Sequence, residues 1–172
     1  RTATGYPGAD GEARLMAVEE DECVVLPHGG VYVLLVRLRR RRHLRIGALG
    51  IKRLSPGWYL YVGSAQRGLE ARLRRHARRH KSLRWHIDYV TTATEVAGAW
   101  FLEAGRDAEC AVARALSGRA DVVSGFGSSD CRCPGHLFGL PAEVSLAEVT
   151  EQVRLAARAA PGKGDRSLQY WR

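Results

Sequence analysis

The chain holds 172 residues, 45% of them hydrophobic, which is enough for one domain with a substantial core. Lysine and arginine number 27 against 18 acidic residues, giving a net charge of +9 and a pI near 9.9, a balance that suits a polyanionic partner. The sequence has no apolar run of membrane length, no basic n-region followed by an apolar segment, and only four unevenly spaced cysteines, which argues against a membrane span, a signal peptide and a secreted disulfide scaffold.

The expected compartment is therefore the reducing cytoplasm. Lys52, Lys81 and Lys163 are the only lysines, so nearly all the positive charge is arginine, the residue suited to bidentate phosphate contacts. Solubility alone would account for a basic balance. The clustering of the charge at residues 37–42 and 74–84 favours a nucleic acid.

In chain order, residues 1–21 read as a flexible extension, with Met16 its only methionine and no hydrophobic periodicity. A single domain is expected over 22–160, followed by a tail over 161–172. Gly30 to Leu38, rich in Val, Leu and Tyr, predicts a buried strand. Arg39 to Arg42 form a charged turn, and His43 to Leu49 return as an alternating second strand. Ser55-Pro56-Gly57 signals a turn before a third strand, Trp58 to Val62, which Gly63 ends. From Leu69 to His80, the spacing of Leu69, Leu73 and Ala77 predicts a helix with one apolar stripe and a basic remainder. Glu95 to Leu102 suits a strand or a buried helix equally. Asp107 to Leu116 predicts a helix with Asp107 as its N-cap, and Ser145 to Ala159 a helix opened by the capping pair Ser145 and Glu148.

Three short strings stand out on this frame: Gly30-Val31-Tyr32, Tyr59-Leu60-Tyr61-Val62-Gly63-Ser64, and Arg72 with His76. Strand ends are rigid yet accessible, so Tyr32 and Tyr61 stand where catalytic groups work well, although half-buried strand tyrosines read the same way. Arg72 and His76, four apart on a helix, share a face and could hold one phosphate. Arg74 with Arg78 and Arg75 with Arg79 compete at the same spacing.

A second cluster is Asp130-Cys131-Arg132-Cys133-Pro134-Gly135-His136. Cys131, Cys133 and His136 could give three ligands of a tetrahedral zinc site, closed by Cys110 or His86. Two small buried cysteines beside a hydrogen-bonded His136 is the preferred expectation, because the spacing is not a standard zinc pattern. In Trp85-His86-Ile87-Asp88-Tyr89, the alternation puts His86 and Asp88 on one side of an extended segment, lining a cleft or bracing each other in the core. Arg39, Arg40, Arg41, Arg42, Arg75, Arg79, His80 and Arg84 are the candidate phosphate contacts, and Trp58, Trp85 and Trp100 could stack bases or simply be buried.

Taken together, the ordered strings resemble the GIY-YIG endonuclease superfamily. Gly30-Val31-Tyr32 and Tyr61-Val62-Gly63 stand for its two name-giving strings, with Arg72 and His76 in the Arg-x-x-x-His form. Within it, Tyr59 to Ala65, Trp85 to Tyr89, Glu109-Cys110 and Phe126 to Phe138 look like an uncharacterised prokaryotic family that occurs alone or fused to DNA-repair glycosylases of the endonuclease III type. The resemblance implies an α+β domain with a central antiparallel sheet of about three strands flanked by helices. It also implies a DNA endonuclease using one divalent ion, Mg²⁺ or Mn²⁺, on single-stranded, branched or damaged DNA. In that frame Tyr32 or Tyr61 handles the attacking water, Arg72 stabilises the phosphate, His76 assists, and Glu109 holds the metal, with Glu95 and Glu103 as rivals. Three departures mark the chain: a long separation between the strings, Ser64 where many members carry Lys, and no Asn anywhere, leaving Asp130 or His136 to take the place of a late Asn. The alternative expectation is a non-cutting nucleic-acid-binding module on the same scaffold. A functional link to a repair glycosylase belongs to either.

Overall fold

The computed structural model describes residues 25–161 and 168–172. The expected N-terminal extension, 1–21, and Cys23 lie outside them. Strands β1 (Gly30–Leu38), β2 (Arg42–Arg45), β3 (Ile51–Leu54), β4 (Gly57–Ala65), β5 (Glu95–Leu102), β6 (Asp121–Val122), β7 (Leu137–Leu140) and β8 (Gln169–Trp171) alternate with helices α1 (Leu69–Ala77), α2 (His86–Thr91), α3 (Asp107–Ser117) and α4 (Leu146–Ala157). No helix among the described residues is long and apolar enough to cross a membrane.

One six-stranded sheet runs in the order β6-β7-β4-β1-β5-β8, with every neighbouring pair antiparallel. The expected sheet of about three strands is its centre, β4-β1-β5. The additions, β7, β6 and β8, are short strands of four, two and three residues added outside that centre, too brief to display a period of two. One of them, β8, falls within the expected tail and extends the sheet beside β5.

Alternation along β1 and β4 sends apolar side chains to both faces. Val31, Val33, Leu35, Leu60 and Val62 meet Val112 and Leu116 of α3 and Val149 and Val153 of α4. Leu34 and Val36, with Tyr32, Tyr59 and Tyr61, face Leu69 and Leu73 of α1 and Ile87 and Val90 of α2. A sheet covered on both sides reads as near-continuous apolar sequence, which is why β1 shows no polar face.

Two expectations are corrected. The segment after Arg42 does not pair with β1, whose two edges are taken by β4 and β5. It turns through a short 3-10 helix, Gly47–Leu49, and pairs with β3 as a separate two-stranded hairpin. Most of that hairpin is exposed and charged, and Ile46 and Leu54 tie it to the core.

The segment 85–89 is not extended. It opens α2, because the Asp88 carboxylate accepts the backbone N–H groups of Arg84 and Trp85 and so caps the first turn. His86 and Asp88 consequently part: His86 lines the cleft described below, and Asp88 is wholly buried. Elsewhere Ser145 and Glu148 form the anticipated reciprocal cap of α4, whereas α3 starts after Arg106 with no side-chain cap, so Asp107 is its first helical residue rather than its N-cap.

A two-tyrosine cleft joined to a cysteine and histidine cluster

At the end of the sheet where β1 begins and β4 finishes, a cleft of roughly 520 Å³ opens to solvent. Its lining includes Tyr32, Tyr61, Arg72, His76 and Glu109, residues from β1, β4, α1 and α3. Register explains why the tyrosines meet. Tyr32 stands opposite Gly63 and Tyr61 opposite Leu34, so both rings project from one face, their centroids 6.5 Å apart. A Cβ on Gly63 would lie 2.5 Å from the Tyr32 hydroxyl oxygen, so only glycine leaves room for that ring. Gly127, at φ +70°, gives the Tyr61 ring the same clearance from the opposite wall.

The Tyr32 hydroxyl lies 2.8 Å from His76 Nε2. Burial lowers the His76 pKa to about 3, with the Lys81 charge adding to the effect, so its ring is neutral at ordinary pH. Burial likewise pushes both phenols above their usual value, aided by Tyr61 and opposed by Arg72 at Tyr32, and aided by Glu109 and opposed by Arg72 at Tyr61.

Arg72 lies 4.1 Å from the centre of the Trp85 ring, and Arg75 lies 4.3 Å from the same centre. Their fates differ. Arg75 gives both Asp88 oxygens a hydrogen bond, at 2.7 and 3.1 Å, while Arg72 lines the cleft. Burial works to raise the Asp88 pKa, but the Arg75 bonds and the two backbone N–H groups outweigh it and hold the carboxyl below its usual range.

Glu109 reaches the cleft from the far face of the sheet. One of its oxygens accepts the Ser64 hydroxyl, and the other is 3.0 Å from His136 Nδ1. The rivals stand elsewhere: Glu95 bonds Arg39 at 3.5 Å, and Glu103 is exposed and does not line the cleft. His86 Nδ1 accepts the Gly127 N–H, and Asp130 pairs with Arg106 across the rim at 2.8 Å. Arg106, Ser129 and Gln66 also line the cleft, and no sequence signal marked them.

Behind Glu109, the ligand atoms of Cys110, Cys131, Cys133 and His136 all lie within 4.8 Å of one another, an arrangement that could hold a metal ion. Cys110, not His86, is the fourth member. His136 Nε2 is 3.5 Å from Cys131 Sγ, so its two ring nitrogens face the cluster and the cleft respectively. None of the three thiols is in a disulfide.

The basic clusters also converge. Arg37, Arg39, Arg40, Arg42 and Arg79 line one groove of about 250 Å³ with Thr94 and Glu95. Arg41 and His80 are exposed, Arg84 lines the main cleft, and Arg75 is committed to Asp88 and Trp85. Trp58 lies under Arg37, Trp100 is buried against Tyr170, and Trp85 is the tryptophan at the cleft.

A family model described as a domain of unknown function, DUF123, matches residues 31–158. No curated protein and no solved structure matches the chain.

Proposed function

We propose that this chain, which belongs to the DUF123 family of unknown function, is a metal-dependent DNA endonuclease of the GIY-YIG kind, guided by DNA structure and serving repair. The observation that carries the reading is the meeting of Tyr32, Tyr61, Arg72, His76 and Glu109 in one open cleft with an arginine-lined groove elsewhere on the same domain. With that substrate, the cytoplasm is the compartment this reading assigns.

The donor set at Glu109 fits a hard cation. The Glu109 carboxylate and the Ser64 hydroxyl are oxygen donors, Ser129 and Asp130 add oxygens elsewhere on the cleft wall, and each Glu109 oxygen keeps a lone pair beyond the one used by Ser64 or His136. When bound there, Mg²⁺ or Mn²⁺ would supply positive charge beside the scissile phosphate and cancel the field that Glu109 exerts on Tyr61.

The two tyrosines take different parts. A phenolate at pH 7 costs roughly 4 kcal/mol at the free phenol pKa, and burial raises that cost. At Tyr61 the Glu109 charge is the first influence after burial, so a cation on Glu109 would relieve that phenol directly. On this reading Tyr61 takes the part of base, and Tyr32, tied to a neutral His76, orients the water and phosphate. The water oxygen bonds to phosphorus, its proton passes to the Tyr61 phenolate, the bridging P–O bond breaks, and the departing oxygen takes a proton from solvent in the open cleft. Arg72, steadied on Trp85, stabilises the charge that builds on the non-bridging oxygens.

Labelled single-stranded, duplex, flap and junction DNA, incubated with Mg²⁺ or Mn²⁺, tests this. Cutting is expected to need the metal and to fall by about 100-fold or more in Tyr61→Phe, Arg72→Ala and Glu109→Gln. Loss in the first two alone moves the metal ligand elsewhere. One observation favours a second reading: both Glu109 oxygens are already bonded within the protein. Wild type that binds every DNA and never cuts would make the chain a binding module.

A further inference from the structure

The connection between β6 and β7, residues 123–136, contains no regular secondary structure, yet it forms one wall of the cleft through Gly127, Ser129 and Asp130. Long connections of this kind need a staple or a function to stay ordered. Within it, Cys131, Cys133 and His136 turn inward toward Cys110 on α3, and the four ligand atoms lie within 4.8 Å of one another. As free thiols they find little else: Cys133 Sγ is 3.9 Å from the Cys110 carbonyl oxygen, and Cys131 Sγ is 3.5 Å from His136 Nε2.

We infer that Cys110, Cys131, Cys133 and His136 form a tetrahedral structural zinc site, and that the zinc fixes Glu109 in the cleft through the His136 ring. Three soft sulfur donors and one imidazole nitrogen are the ligand chemistry of closed zinc centres, and they come from two chain segments, which is what a clamp requires. The second nitrogen decides the tautomer. His136 Nδ1 is 3.0 Å from Glu109 Oε1, so Nδ1 carries the proton and donates it to the carboxylate, leaving the Nε2 lone pair facing the three sulfurs. A carboxylate that orients a zinc-binding imidazole in this way is itself oriented by it. Ser64 holds the other Glu109 oxygen, so the acid is gripped from both sides.

On binding, the three cysteine thiols release three protons, and the zinc takes three Sγ lone pairs and one from Nε2. No oxidant is involved. Two of the three thiols would instead join as a disulfide only if dissolved oxygen removed two electrons and two protons, and that outcome is separable because it leaves no metal.

The test begins with wild-type protein purified without chelator under reducing conditions and its metal content read by plasma mass spectrometry. One zinc per chain is expected. Co²⁺ put in its place should give the near-ultraviolet thiolate charge-transfer band and the intense visible bands of a tetrahedral sulfur-rich site. His136→Cys, which keeps four ligands, should still bind one metal with a shifted cobalt spectrum, whereas Glu109→Gln should weaken zinc affinity by about 10- to 100-fold against a chromogenic chelator. Folded wild type with a metal ratio near zero, no cobalt bands and free thiols or a disulfide overturns the site. Full zinc affinity in Glu109→Gln overturns the link to the cleft. None of these readouts requires cutting, so a zinc-loaded protein inert on DNA sinks the nuclease reading alone, and a metal-free protein that cuts with Mg²⁺ sinks this one alone.

Discussion

At the floor of the cleft, His76 is 1% exposed and its Nδ1 finds no hydrogen-bond partner among the described residues. Its surroundings explain a low pKa: burial first, then the positive charges of Lys81, Arg72 and Arg75, with Asp88 the opposing influence. The folded ring stays neutral down to about 3, while the unfolded chain takes up a proton near 6.5. Stability is therefore fully present above pH 6.5 and is lost as pH falls toward 3, at about 1.4 kcal/mol per unit from this group. Urea unfolding of wild type and His76→Gln across that window should show a shallower acid decline in the variant. Equal slopes would mean that the histidine is solvated, and its hold on Tyr32 with it. None of this burial was legible in the sequence, where His76 reads as part of the basic remainder beside the apolar stripe of Leu69, Leu73 and Ala77. The spacing Arg72 to His76 was legible, because a helix repeats on the page; Gly63 was misread as the end of its strand, for β4 runs on to Ala65 and the glycine clears the Tyr32 ring across the sheet.

The element that local patterning misreads is α2, and the Arg75–Asp88 pair is why it forms where it does. Asp88 is 0% exposed, caps its own helix through two backbone N–H groups, and takes two hydrogen bonds from Arg75 of α1, which gives a third to the Ser82 carbonyl. A tertiary ion pair thus makes a helix from six residues whose alternation reads as a strand. By contrast α4, with Ser145 and Glu148 reciprocally bonded and Val149 and Val153 buried, carries its instructions locally and was readable in full. Removing one partner of a buried pair leaves an uncompensated charge, so Arg75→Met should cost about 3 kcal/mol at neutral pH, with Lys81, 3.9 Å away, offsetting part. The deficit should shrink in acid. The Asp88 pKa is held low in the fold, so its stabilisation exists above the unfolded carboxyl value and vanishes as pH falls through the folded one. Denaturant unfolding at pH 7 and near pH 3 measures both. A cost of only a few tenths at pH 7 would make the pair a surface contact, and α2 would owe its position to Ile87 and Val90 alone.

For the whole molecule, the +9 charge becomes meaningful only when the fold is known. The run Arg37–Arg42 and, from the second cluster, Arg79 face one groove, because the antiparallel partner of β1 begins at Glu95 beside the turn that carries the arginines. The sequence shows two clusters and cannot show that they are one surface, since that depends on strand order. The strand order itself was half legible: the long strands β1 and β4 declare themselves by composition, β5 reads equally as a buried helix until the edge of β1 takes it, and β6, β7 and β8 are recruited by edges already formed. A single basic groove predicts binding dominated by phosphate contacts. Affinity for duplex and single-stranded DNA should fall steeply between about 50 and 200 mM salt with little dependence on sequence. Replacing Arg39, Arg40 or Arg42 by alanine should reduce the slope of log affinity against log salt by about 0.9 on duplex for each arginine that meets a phosphate. Arg75→Ala should leave the slope where it is, because its guanidinium is already spent on Asp88 and Trp85. If all four variants keep the wild-type slope, the groove is a solvated face and the nucleic acid lies across the tyrosine cleft alone, held by Arg72, Arg84 and Arg106.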